Sequence, residues 1–198
     1  MKRLNPLLAL PLLLVAFAAP AVAQVNIAVM NEERVLRESA VGQHIAARVT
    51  EIRDEIDAEL SAISSPIESE TQAINTETAN MTEEGVRNRP DLVARIQTVN
   101  QQVTVFEQTR RLRQQELVAT ERQAMRPVFE ALQEVLNEVV QERGIDILVD
   151  RSQLVYATED VDITPQVIEA LNARLPTVAV NRARLPQAAA DAPASQPQ

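Results

Sequence analysis

Glu83-Glu84-Gly85-Val86-Arg87-Asn88-Arg89-Pro90 is a breaker cluster set between two long runs of helical periodicity, and it decides the fold. Before it, Ile45, Val49, Ile52, Ile56, Leu60, Ile63, Ile67 and Ile74 fall in steps of four and three that keep one apolar stripe on one helix face. After it, Leu92, Ile96, Val99, Val103 and Phe106 repeat that spacing. The stripe resumes beyond a polar interruption at Leu117, Ala124, Val128, Leu132, Val135 and Val139. Two helices folded back at the cluster follow. At roughly 50 residues and about 1.5 Å per residue, each arm is on the order of 70 Å long, too long for a globular core to enclose. Only the facing seam is buried, so residues 39–127 are expected to stand in water as an antiparallel coiled coil.

Composition agrees with elongated helix packing. The 198-residue chain has 2% aromatics, no Trp, one Tyr and three Phe, so its core cannot lean on large rings. Its formal net charge is -9, and Lys2, the one lysine, and Arg3 both fall in an N-terminal leader. An acidic chain of this kind does not displace counterions from phosphates, and no nucleic-acid partner is expected. Without cysteine, there is neither disulfide nor thiol chemistry.

Outward from the arms, Met1 to Ala23 reads as a signal peptide: Lys2 and Arg3, the apolar run Leu7–Phe17, and the small-residue exit Ala21-Val22-Ala23. Pro11 and Pro20 interrupt that run, which is short for a bilayer span. Cleavage before Gln24 and no stable membrane insertion are expected. Val25 to Met30 is β-prone, and Asn31 fits as cap of a short helix across Arg34 to Glu38. Pro66 is expected to kink the rising arm near the height of Phe106, and Pro127 marks where the descending arm re-enters the base.

Gly144 is the stop of the descending arm. Ile145–Asp150 is a strand candidate, and Gln153–Ala157 a second, joined by Arg151-Ser152 in a hairpin-like connection. Thr164 as N-cap and Pro165 as first residue open a last helix, which ends near Pro176. Residues 176–198 are Ala-, Pro-, Gln- and Arg-rich without periodicity and are expected to be a disordered tail. The base, residues 24–38 and 128–175, is thin. So small a sheet has open edges, so copies of the chain are expected to complete one another, with Ile27, Val29, Ile147, Val149, Leu154 and Tyr156 as interface candidates. The fold class is mainly α with a small β base: a long helical-hairpin arm projecting from a short-stranded oligomerisation body.

In this order the elements resemble the Skp/OmpH family of periplasmic chaperones: leader, strand Asn26-Ile27-Ala28-Val29, hairpin, strand Ile145–Asp150, Val155-Tyr156, then Asp162-Ile163-Thr164 opening the last helix. Phe106-Glu107-Gln108-Thr109-Arg110-Arg111 is similar to that family's descending arm. The resemblance implies a periplasmic homotrimer whose three arms enclose a cavity for unfolded outer-membrane β-barrel proteins, without nucleotide hydrolysis or cofactor. Well-known members are strongly basic, whereas this chain is acidic, so no lipid-binding motif is carried over.

A holdase needs many weak contacts rather than one pocket. Candidates for client contact are Met81, Val86 and Leu92 at the tip, which alternatively close the coiled coil, and Phe106, Arg110 and Arg113 at the polar interruption. There the two arginines either face a client or lie solvated at a register shift. Arg87, Arg89 and Arg95 read as a solvated turn. Catalysis has little to stand on: His44 is the one histidine, the carboxylates of Glu51–Asp57 decorate a helix face, and with three glycines there is no phosphate loop. A different reading, a structural coiled-coil adaptor of the envelope, requires β-rich flanking domains longer than those present.

Overall fold

The computed structural model describes residues 25–186; the leader and residues 187–198 lie outside the described residues. In order, the elements are β1 (Ile27–Met30), α1 (Glu32–Glu38), α2 (Ala40–Thr78), α3 (Glu83–Arg87), α4 (Pro90–Arg143), β2 (Ile147–Asp150) and α5 (Thr164–Arg174). Two 3-10 turns, Arg151–Gln153 and Glu159–Val161, lie between β2 and α5. At about 1.5 Å per residue, α2 and α4 are about 60 and 80 Å long and form the arm.

Local chemistry sets the helix ends. Asn31 Oδ1 accepts the Arg34 N–H at 2.8 Å and caps α1. Ser39 Oγ accepts the Gly42 N–H at 3.2 Å and caps α2. The breaker cluster is not an open turn. Glu83–Arg87 winds into the short helix α3 with Thr82 as its cap, and Pro90 starts α4. Gly144 ends α4 at φ 60, a left-handed conformation suited to glycine. Both α2 and α4 continue through their internal prolines, Pro66 and Pro127.

Two separate apolar cores result. The inner one packs the base onto the foot of the arm and includes Val35, Val41, Ile45, Ile52, Val128, Val135, Ile163, Val167 and Leu171. The outer one holds Ile67, Ile74, Leu92 and Val99, flanked by Met81, Val86, Ile96 and Phe106. Along α2, Val41, Ile45, Val49, Ile52 and Ile56 are buried, and Ile67 and Ile74 extend the row. From Val41 to Ile52 the steps are four, four and three, 11 residues in three turns or about 3.67 per turn, close to the 3.6 of a straight helix. Between the cores the seam opens: Ile63 and Val103, expected in it, are each 41% exposed.

On α4 the buried row through the polar interruption is Leu112, Glu116, Thr120, Ala124, Val128 and Leu132. Steps of four advance about 40° past a full turn each time, so the buried face rotates around α4 and meets successive neighbours. Arg110 and Arg113 lie outside this row of buried residues.

The base corrects two expectations, the second strand candidate and the cap of the last helix. β1 and β2 pair in parallel, Ile27 with Ile147 and Val29 with Val149, so the whole helical hairpin is the crossover between them. Gln153–Ala157 forms no strand: the chain turns in 3-10 geometry and leaves Val155 and Tyr156 exposed, and β1 bridges instead to Asp162 from Val29. Thr164 does not cap α5 with its side chain; its hydroxyl accepts the Asn31 N–H at 2.9 Å, and Asp162 Oδ1 takes the Thr164 N–H at 2.8 Å. Asn26 ties the sheet to the end of α4, donating from Nδ2 to the carbonyls of Arg143 and Gly144 at 3.0 and 3.1 Å.

The expected disordered tail is also corrected as far as Pro186. Beyond α5 the chain runs extended along the arm and buries Val180 and Ala183. Arg174 pins its start, bonding Glu134 and Glu138 of α4, each at 2.5 Å.

Candidate functional site

The arm offers three kinds of surface: an ion-paired tip, a polar waist between the two cores, and an apolar foot. At the tip, Arg89 bonds Glu77 at 3.0 Å and Asp91 at 2.7 Å. Arg95 bonds Glu70 at 2.7 Å and Glu77 at 2.8 Å. The bonds to Glu70 and Glu77 join the two arm helices across the hairpin, so Arg89 and Arg95 are cross-braces rather than freely solvated heads. The hydrogen bond from Arg89 lowers the Asp91 pKa to about 2. Glu70, ahead of Glu77, raises that of Arg95. Met81 and Val86 are half-buried against the outer core, and Leu92 is fully buried in it. Leu92 thus closes the coiled coil.

At the waist, Arg110 is exposed and bonded to Glu107 at 2.7 Å, and Phe106 is half-buried. Arg113 turns inward: its guanidinium lies 3.0 Å from Glu116 and 3.2 Å from Glu59 of α2. Of the arginine pair weighed in sequence, one is a surface ion pair and the other part of a network. Glu116 and Thr120 were missed because an apolar-period reading skips polar residues, although their steps of four from Leu112 to Ala124 mark them as one row.

At the foot, Phe129 is 47% exposed and Val118 55%. An open depression of about 830 Å³ is lined by Val118, Ala119, Arg122, Met125, Arg126 and Phe129. A second, of about 620 Å³, lies across Phe129 and Met125 toward Leu36, Ile45 and Val49. The signal for Phe129 in sequence was an aromatic immediately beside the buried row at Val128. Smaller apolar depressions line the outer arm around Pro66 with Val105, and around Ile67 with Phe106.

In the base, the interface candidates divide. Ile27, Ile147 and Tyr156 are exposed, Val149 and Leu154 half-buried, and Val29 is buried at 2% beneath the Asp162 bridge. Val29 therefore belongs to the chain's own interior. Among the described residues, the outer edge of β2 pairs with no strand, no acidic or histidine cluster suits a metal ion, and no helix is long and apolar enough to cross a membrane. His44 lies beside the tail, donating from Nε2 to the Val178 carbonyl at 3.0 Å.

No curated protein matches the chain. Among solved structures, a chain from Caulobacter crescentus CB15 assigned as an OmpH-like outer membrane chaperone is 27% identical, with a TM-score of 0.69 over 83% of this chain and 94% of that one. The family model described as outer membrane protein (OmpH-like) matches residues 26–171, from the first strand through most of the last helix. With its arm and small parallel sheet inside that span, the chain belongs to the OmpH-like family.

Proposed function

We propose that this protein is an ATP-independent periplasmic holdase, exported by a cleaved signal peptide, that sequesters unfolded outer-membrane β-barrel proteins between its helical arms. The observation that carries the reading is the arm itself: about 60 Å or more of solvent-standing coiled coil with Ile63, Val103, Val105, Val118 and Phe129 exposed along it. An unfolded barrel protein presents alternating apolar strands that aggregate faster than they insert. Scattered apolar contacts bind such chains weakly at many points, and avidity makes the sum strong without sequence selection. The arm's chemistry is that of contact and exclusion rather than bond making.

The exposed sheet edge of the base supports self-association, and the family resemblance supplies the number three. Ile27 and Ile147 present apolar surface beside an open β2 edge, which strands or loops of neighbouring copies complete, so that three arms project from one hub and enclose the client. The decisive experiment dilutes a urea-unfolded barrel protein into buffer, with and without this protein and without nucleotide, while following light scattering. Suppression at trimer stoichiometry is expected. Unchanged scattering would remove the holdase reading.

A further inference from the structure

Glu116 is 1% exposed, in a buried row of α4 between Leu112 and Thr120. A carboxylate placed there is costly unless cations and donors surround it. Arg113 from its own helix supplies one side. The other is supplied by the C-terminal segment 177–186, which lies outside the residues matched by the family.

The fit is that of a ligand in a site. Arg182, its side chain 8% exposed, forks onto Glu59 with bonds of 2.7 and 2.9 Å and reaches Glu116 at 3.3 Å. The main chain is read as well. Ala183 donates its N–H to Thr120 Oγ1 at 2.9 Å, and Leu185 donates to Glu116 Oε1 at 3.3 Å. Thr120 gives its hydroxyl proton to the Glu116 carbonyl at 2.7 Å, which leaves its lone pairs aimed at the segment. Arg184, the next cation along, is exposed.

We propose that Glu59, Glu116 and Thr120 form an arginine socket, a docking site on the arm for an extended peptide, and that its resident ligand is the chain's own segment Thr177–Pro186. A planar guanidinium, not an ammonium, matches two carboxylates approached from one side. The docked segment runs from the end of α5 up to the waist, and so braces the inner arm to the base while the outer core stays free of it.

Hydrogen exchange on the full chain tests the site. Arg182→Ala should speed exchange of the Ala183 and Leu185 amides at least tenfold, whereas Arg184→Ala, removing the same charge two residues on, should change it less than twofold. Should Arg182→Ala lose its helical signal, Glu59→Gln, at a partly exposed position, reads the same amides. A labelled peptide of residues 177–186 should bind the Arg182→Ala chain saturably, and the same peptide with alanine in place of arginine at 182 at least tenfold more weakly. Exchange within twofold of the parent in the folded Arg182→Ala or Glu59→Gln chain, or equal binding of both peptides, would overturn the socket.

Discussion

Gly42 and Leu36 meet backbone to backbone: a Cβ on Gly42 would stand 1.6 Å from the Leu36 carbonyl oxygen. The corner between α1 and α2 is built on that contact, and the oxygen cannot yield without moving α1. Gly42→Ala should therefore destabilise the base by about 1–3 kcal/mol, the usual cost of forcing extra volume into a packed site. Denaturant unfolding followed by far-ultraviolet circular dichroism measures it, and an unchanged midpoint would contradict the contact.

Leu92 is fully buried in the outer core, away from the base. Leu92→Ala removes its packing and should cost about 2–5 kcal/mol locally. Because the two cores are separated at the waist, that loss is expected in the arm beyond Ile63 while the base keeps its protection. Residue-resolved hydrogen exchange distinguishes this pattern from a uniform loss.

The spacing of Ile45 to Ile74 and of Leu92 to Phe106 made the arms legible, because a solvent-standing hairpin has one buried stripe and therefore one period. The waist was not legible for the same reason: Glu116 and Thr120 keep the buried geometry with polar chemistry. The tail was hidden more deeply. An extended segment has no helical period, and its anchors Arg182 and Glu116 are 66 residues apart. Gln153–Ala157 misled because β-prone residues there present Val155 and Tyr156 outward instead of pairing.

Acid should release both arginine pairs. The hydrogen bond from Arg182 holds the Glu59 carboxyl below its usual range, and that from Arg89 lowers Asp91 to about 2. A carboxylate whose pKa is depressed on folding stabilises the fold fully above its unfolded value, near 4, and that contribution is lost as pH falls through the folded value. The Asp91 contribution should thus fade between about pH 4 and pH 2. Carboxyl chemical shifts followed by NMR give both midpoints, and an Asp91 midpoint near 3.8 would refute the tip pairing.

Phe129 stands exposed between two depressions at the arm's foot. Phe129→Ser removes apolar contact without touching either core. Since binding is spread over many weak contacts, suppression of client aggregation should fall by roughly twofold rather than vanish. Scattering assays at matched concentration, with circular dichroism as the folding control, measure the change.

Ile27 and Ile147 are register partners in the sheet and are 48% and 47% exposed, beside the open edge of β2. In a single chain these side chains lose little on becoming charged, because about half of each already faces water. In the proposed trimer, Ile147→Arg brings three like charges into a shared apolar hub, where each is desolvated and repels the others. The variant should keep its helical content and dissociate, with an apparent dissociation constant raised by roughly tenfold or more. Sedimentation across a concentration series reads this directly. If the parent sediments as a single chain, the shared hub fails, whereas a parent trimer indifferent to Ile147→Arg would move the interface away from this face of the sheet.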